Sequence, residues 1–517
     1  MTRALFKAVS SKCIGWILLF IILAASSFQS YRFITMFKFV DEYNNWVPAA
    51  LMHQGKMLYT DIFFNRMPLP AYISYILQFL ISPQADYYRV IQLHRVFMII
   101  FSAGWISYMY WQFRKSWVLI FALMFELLKP YFFGFSFQAE AMVVYPLVYL
   151  FILSISSSNW PRRTLLFSGV CMWFVIFSRE ITIITTLIIF VALCIRIRDY
   201  RKITLLATPF IILSLCTLAS MDLRQWFFQM ITVNKISFQT DISKASGVAG
   251  LLGSFLLPFQ YIVTIFSAQA SNFQRTIGLQ VIFLIVMIYK YISKKIVKWP
   301  HSVFLAVYLL LLLFTSSLRS QTPERELWAI YRLIPWIGIL LSTLAYLVGE
   351  YASKYRVIYI VLCILLTASY FLHPNSLLLK QIDREREYNT SYFDDVSYAH
   401  AIEESTDLQD NIFVIGYNSH IYMLSHRRTM YPDSFFYPIH YAIPLYQEKV
   451  LSMFKTDPPV SVYSTDCNVV QRIKIVFVQM DKIYTRLFKN GKPSCIYVRN
   501  DRLAKTLSTL KSRGFSK

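Results

Sequence analysis

Apolar runs of about 17–22 residues recur between residues 13 and 372, and they constrain the fold more than any other feature. About 20 residues at 1.5 Å rise cross the hydrocarbon core of a bilayer, so each run predicts a transmembrane helix. The runs lie near 13–30, 93–111, 117–130, 139–156, 164–178, 181–195, 203–220, 277–293, 301–317, 331–349 and 356–372, about eleven spans. Composition agrees: 56% of the 517 residues are hydrophobic and 15% charged, with mean hydropathy +0.47. A water-soluble domain of this size would not expose that much apolar surface. The first run, Cys13–Gln29, follows Arg3, Lys7 and Lys12 and lacks a clean cleavage site, so it reads as a retained helix.

The net charge of +23 would point to nucleic acid in a soluble protein. Here Lys and Arg collect in short loops, which is how a multi-pass protein sets its orientation. "WQFRKSW", "NWPRR", "RIRDYRK", "YKYISKKIVKWPH", "EYASKYR" and the N-terminus form a basic set and are expected in the cytoplasm. Asp41–Arg66, "YFFGFSFQAE", "SRE", residues 220–250 and "RSQTPERELWAIYR" are more acidic and aromatic and fall on the outer face. "GLLGSFLLPFQYIVTIFS" (250–267) is long enough to span, but counting it would turn a basic loop outward, so it reads as interfacial or re-entrant. "PLPAYISYILQFLI" (68–81) is short, carries two prolines and reads as juxtamembrane. Counting both would raise the total to thirteen.

After "HPNS" the chain turns polar. "DDVSYAHAIEEST" and "YAIPLYQEKVLSMF" read as helices, and "NIFVIGY", "VSVYS" and "KIVFVQ" as strands. The expectation is a transmembrane domain over 1–372, with a first outer loop at 31–92, followed by a small extracytoplasmic α/β domain over 373–517. Seven cysteines show no CxxC pair, and only Cys467 and Cys495 lie where an oxidising compartment would let them pair. The histidines show no HExxH spacing, and no Walker A, GxGxxG or GxSxG context occurs.

The outer face holds the candidate chemistry. Ionisable groups near membrane depth are costly, so Asp41, Glu42, Asp61, Arg66, Glu140, Arg179, Glu180, Arg319, Glu324, Arg325, Glu326, Tyr331 and Arg332 are site candidates. Solvated loop charge or mutual ion pairing is the bland reading of any single one. Asp41 and Glu42 are adjacent and diverge by about 100° if helical, so only one can face a cavity. "NNWVPAALMHQG" reads as a short interfacial helix, with Asn45 as cap, Pro48 in its first turn and Gly55 at its end. The bland version is an amphipathic anchor with a capping Asp. Arg179 and Glu180 sit in a turn with no room to leave the surface, as an interfacial ion pair would. Arg325 and Arg332 are seven apart, so they share a helical face and suit a phosphate headgroup, whether of a substrate or of ordinary lipid.

These residues in this order resemble the GT-C superfamily of membrane glycosyltransferases, which includes protein O-mannosyltransferases and lipid A aminoarabinose transferases. Asp41-Glu42 after the first span carries the resemblance, with Trp46, Ala49, Ala50, Gly55, Leu58, Tyr59, Asp61, Pro68 and Tyr72 spaced behind it. Glu140 opening a span, "SRE" between spans and "YRLIP" opening a late helix are weaker markers. The resemblance is best over the first 100 residues and mainly topological beyond. It implies a polyprenyl-phosphate sugar donor, a glycan, lipid or protein acceptor, and a multi-pass enzyme of the inner (plasma) membrane working on the periplasmic side. Asp41 would be the catalytic base, with Glu42 its ambiguous neighbour. Arg179, Arg325, Arg332 and Tyr331 would hold the donor phosphate, and Trp46, Tyr59, Asp61, Arg66 and Glu180 would shape the acceptor loop. Glu140 is the carboxylate a retaining mechanism would need. Some members carry Lys where "SRE" has Arg179, and members differ in metal use, which leaves a divalent cation (Mg or Mn) open. The rival readings are a lipid-linked glycan polymerase or ligase, a flippase, and a structural membrane protein in which Asp41 is freely replaceable.

Overall fold

The computed structural model describes the chain apart from residues 1, 36–37, 82–85, 157–159, 237–246, 294–298, 319–329, 352–356, 358, 360, 362–382, 465–477 and 479–481. The side chains of 2–12, 40, 247–248, 291–293, 299–303, 351 and 384 lie outside that description. The chain forms two compact units, each assembled from separated segments. One comprises Met1–Ile34, Leu93–Cys216 and Ser243–Asp383; the other comprises Thr35–Gln92, Thr217–Ile242 and Arg384–Lys517. The expected first outer loop therefore groups with the C-terminal domain instead of with the bundle.

The first unit is a helical bundle. Its axis is the Ala139–Ile155 helix, every residue of which is buried. A helix that is apolar all round belongs in the middle of a bundle, and this one packs against Arg162–Ser178, Ile183–Ile197 and Ile334–Tyr351. Peripheral helices present Phe20, Ile212 and Leu215 outward, as lipid-facing residues require. Among the described residues six helices are long and apolar enough to cross a membrane: Cys13–Arg32, Tyr87–Phe113, Glu180–Ile197, Tyr200–Ala219, Asn272–Lys290 and Tyr331–Glu350. Ala139–Ile155, Ala249–Thr264 and Phe304–Ser316 are apolar but shorter. The expected spans at 117–130 and 164–178 are the helices Ser116–Leu128 and Arg162–Ser178. Most of the expected span at 356–372 lies outside the described residues.

The ambiguous 250–267 segment is a continuous helix, Gly247–Thr264. Ser317, just past the end of the Trp299–Ser316 helix, donates to the Ser254 carbonyl at 3.1 Å. Tyr261 stacks on Trp336, near the start of the Ile334–Tyr351 helix, at 5.6 Å between centroids. A Cβ on Gly278, early in Asn272–Ser293, would fall 2.5 Å from the Tyr261 carbonyl. These contacts join the helix to three neighbouring segments of the bundle.

The second unit is built on a six-stranded sheet in the order β2-β1-β3-β5-β4-β6. The strands are β1 (Asn411–Ile415), β2 (Arg428–Thr429), β3 (Ser461–Ser464), β4 (Tyr484–Lys489), β5 (Lys492–Arg499) and β6 (Phe515–Ser516). β1 runs parallel to β2 and β3, with Val414 opposite Tyr463; β5 is antiparallel to β3, with Val462 opposite Tyr497. The apolar run of β1 fits a strand covered on both faces, and Phe413 meets Phe454 of the Pro444–Thr456 helix at 5.9 Å. The expected strand "KIVFVQ" lies almost wholly outside the described residues. The β4–β5 hairpin was not expected, although Asn490-Gly491, both at positive φ, mark its turn.

Two short helices of the first loop complete this unit: Val40–His53 and Leu69–Gln78. The loop between them is fastened to the sheet domain. Phe63 N–H donates to the Asp433 carbonyl at 2.7 Å, Ser434 Oγ donates to the Asp61 carbonyl at 2.7 Å, and Lys56 Nζ donates to Ser434 Oγ at 2.9 Å. Gln229 clamps the loop from another segment, accepting from Phe64 N–H at 2.7 Å and donating to the Tyr59 carbonyl at 2.8 Å.

Candidate active site

The helix after the first span starts earlier than expected. It runs from Val40, with Phe39 as N-cap, so Asn45 and Pro48 are interior and Asp41 and Glu42 occupy the first turn. Two acidic residues there complement the helix dipole, which favours starting at Val40 over starting after Asn45. Pro48 cannot donate to the Asn44 carbonyl, and Asn45 Nδ2 turns back onto the Asp41 carbonyl at 3.3 Å. The two carboxylates diverge as neighbours on a helix must: Glu42 is fully buried, whereas the Asp41 side chain is 20% exposed.

Asp41 is held by Arg66. The Arg66 guanidinium forms a salt bridge with Asp41 Oδ1 and donates to the Asp41 carbonyl at 3.4 Å. Two N–H groups of one fork on one residue fix both the carboxylate and the backbone that carries it. Around this pair, Tyr43 OH donates to Asn418 Oδ1 at 3.2 Å and Tyr437 OH donates to Asn44 Oδ1 at 3.2 Å. Beneath them is a buried polar cluster absent from the sequence reading. Asp395 bonds His420 Nε2 at 2.9 Å, accepts from Asn418 Nδ2 at 2.8 Å and pairs with Lys38, three residues before Asp41. Burial pushes the Asp395 carboxyl up, but His420 and Lys38 hold it below its ordinary value; burial pushes His420 down against the pull of Asp395. Nothing local in the sequence joins positions 38, 395 and 420, so only the fold could find them.

Three residues expected to shape the acceptor loop make these contacts. Trp46 is fully buried and donates through Nε1 to Tyr87 OH at 3.1 Å, because the inner face of its helix packs inward. Tyr59 is buried at φ 69°, and its hydroxyl donates to the Arg66 carbonyl at 2.7 Å, so it shapes the loop that presents Arg66. Asp61 accepts the Met57 N–H at 2.8 Å and caps a turn.

The remaining candidates belong to the helical bundle. Arg179 is buried between Glu140, at 2.7 Å, and Glu180, at 3.2 Å. A guanidinium flanked by two carboxylates has little net charge left for a phosphate, so the structure gives Arg179 and Glu140 each a partner already in place. Tyr331 is buried, and Arg332 lies 5.7 Å from its ring centroid and donates through Nε to its hydroxyl at 3.3 Å. Both open the late helix, as "YRLIP" predicts. Arg319, Glu324, Arg325 and Glu326 lie outside the described residues.

A second buried pair escaped the sequence reading because it lies within an apolar run. Lys129 Nζ sits 2.6 Å from Glu126 Oε2, with both side chains 1% exposed. Tyr145 OH and Ser26 Oγ donate to Glu126 at 2.7 and 3.1 Å, and Lys129 donates to Ser102 Oγ at 2.8 Å. Among the described residues no group of three or more His, Cys, Asp or Glu converges as a metal site.

A multi-pass helical bundle with a small C-terminal sheet domain and a short first-loop helix defines the fold. The same fold occurs in the crystal structure of ArnT from Cupriavidus metallidurans in the apo state, with TM-score 0.52 and 11% identity over 94% of this chain and 98% of that one. The GT-C resemblance is therefore met at the level of fold. No protein-family model matches the sequence, and no curated protein matches it.

Proposed function

We propose that this chain is a membrane glycosyltransferase that moves a sugar from a polyprenyl-phosphate carrier to an extracytoplasmic acceptor. The observation that carries the reading is Asp41: a part-exposed carboxylate on the first turn of the first-loop helix, aimed by Arg66, in a chain with the ArnT fold. In the reaction an acceptor hydroxyl attacks the anomeric carbon. The bond from that carbon to the phosphate oxygen breaks, its electron pair leaves with the polyprenyl phosphate, and the hydroxyl proton passes to Asp41. Arg325 and Arg332 are the expected partners of the leaving phosphate, while Arg179 is paired with Glu140 and Glu180. For the same reason Glu140 is a weak choice of nucleophile, and single displacement with inversion is the simpler course. No step is routed through a metal.

Two observations support a plasma-membrane enzyme with its C-terminal domain outside the cytoplasm. The basic loops mark the opposite face. Cys495 is disulfide-bonded, which belongs to an oxidising compartment; its expected partner Cys467 lies outside the described residues. The test is mass spectrometry of surface glycans and lipid A in a deletion strain complemented with wild type or Asp41→Asn. Loss of a hexose or pentose mass, restored by wild type only, is the expected result. Full restoration by Asp41→Asn at equal expression would sink the assignment.

A further inference from the structure

The loop that leaves β1 carries an exposed aromatic residue stacked on Tyr437, whose hydroxyl bonds the helix that carries Asp41, and it does so where an open α/β sheet most often binds ligands. β1 connects outward to β2 on one side, while its other neighbour, the parallel β3, leads on to the strands of the opposite side. The carboxyl ends of β1 and β3 therefore form a topological switch point, and a crevice opens outside such ends. Gly416, at φ 113°, turns the chain out of β1 there, and its N–H is bonded to the Phe436 carbonyl at 2.9 Å. An L side chain resists that φ, so the turn that aims residue 417 depends on glycine.

Tyr417 stacks on Tyr437 at 5.3 Å between centroids and 26° between planes. Tyr437 is buried and Tyr417 is 49% exposed. The stack is tied to the site: Tyr437 OH donates to Asn44, which lies one helical turn from Asp41 on the same face. The loop is held from below as well, by Asn418 and His420 on the buried Asp395. An exposed ring stacked on a buried one, which is bonded to the helix that carries the Asp41–Arg66 pair, suits a ligand with one apolar face and a polar rim. A sugar ring has that form, with C–H groups across a face and hydroxyls round the edge. An acyl chain would avoid the charged pair, and a peptide would look for an open strand edge, which β1 lacks between β2 and β3.

We infer that Tyr417, backed by Tyr437, is the platform of an acceptor subsite and that the acceptor is a carbohydrate ring. This rests on the transferase reading above. The test uses the full chain in nanodiscs and saturation-transfer NMR. The probes are maltotetraose, chitotetraose and mannotetraose, with a Ser/Thr-rich octapeptide as the rival. At least one oligosaccharide binds wild type; binding weakens roughly tenfold in Tyr417→Ala and persists in Tyr417→Phe, which keeps the ring. Unchanged thermal unfolding of Tyr417→Ala accompanies that loss, since the ring is half exposed. Binding that survives Tyr417→Ala, binding of the octapeptide alone, or no binding of any oligosaccharide overturns the inference. Asp41→Asn should lose transfer. A transfer-competent Asp41→Asn would remove Asp41 as the base, and a deletion strain with unchanged glycan and lipid A masses would remove the transferase reading, while the Tyr417 binding result stands or falls by itself.

Discussion

Breaking the Glu126–Lys129 pair should damage the fold far more than removing it whole. Both side chains are 1% exposed, 2.6 Å apart, and lodged in helical segments. Lys129→Met leaves a carboxylate with only the Tyr145 and Ser26 hydroxyls. Glu126→Leu leaves an ammonium with only Ser102. Each single change should cost about 3–5 kcal/mol, the usual penalty of an uncompensated buried charge. Replacing both members of such a pair by apolar residues is often neutral or stabilising by about 1–4 kcal/mol. Here the three orphaned hydroxyls of Ser26, Ser102 and Tyr145 each give back about 1 kcal/mol, so the double variant should lie near wild type. The assay is thermal unfolding of the four proteins in one detergent, followed by tryptophan fluorescence. Two low midpoints with a near-normal double variant is the expected pattern. If the two losses simply add in the double variant, the charges do not compensate each other and the reasoning is refuted.

Acid should destabilise the sheet unit through its buried histidines. Burial lowers His440 from about 6.5 to about 3, so between those values the unfolded chain takes up a proton that the folded one refuses. The contribution is whole above pH 6.5 and is lost on acidification at up to about 1.4 kcal/mol per pH unit. His420, lowered by burial, has the same sign, and so does Asp395, whose depressed value favours the fold above 3.8. Asp433, raised by burial, runs the other way. Unfolding midpoints measured from pH 7 to 4 should fall, and His440→Phe, which keeps the stack on Tyr446 at 4.1 Å, should flatten that fall; an equal slope would show that His440 is not its source. At the proposed base, Arg66→Lys keeps the charge but loses the fork on Asp41, and transfer should drop by roughly ten- to a hundredfold with little change in the unfolding midpoint. Wild-type turnover in that variant would mean that Arg66 does not orient the carboxylate.

Legibility in the sequence followed the range of each physical signal. Apolar runs are local, so the bundle could be read helix by helix, while 68–81 read only as juxtamembrane and holds the Leu69–Gln78 helix. Divergence of adjacent side chains separated Asp41 from Glu42 before any coordinates. Cap chemistry misled at Asn45, because acidic residues at 41 and 42 satisfy a helix start just as well. The tie from Trp46 to Tyr87 could not be read locally, because the two lie 41 residues apart. Lys129 and Glu126 were invisible for the opposite reason: two charges in an apolar run look like its edge until their hydroxyl partners come from three other helices.

The division of the chain carries the strongest physical consequence. A boundary at residue 373 treats the sheet domain as an appendage to a finished catalytic bundle. Instead, the helix bearing Asp41 is fastened to that domain at its N-terminal end. Lys38 pairs with Asp395, Tyr43 bonds Asn418 and Asn44 bonds Tyr437, the last two contacts joining residues 375 and 393 apart. A short helix of 14 residues has little stability of its own. Closing so long a loop is affordable because its entropy grows only as the logarithm of its length, about 0.6 kcal/mol per doubling. The buried Asp395–His420–Lys38 cluster then does what a local cap cannot: it sets where the first turn of that helix begins, and with it the position of Asp41. On this argument the sheet domain is part of the proposed site's construction, and the position of Asp41 depends on strands that the chain completes more than 350 residues later.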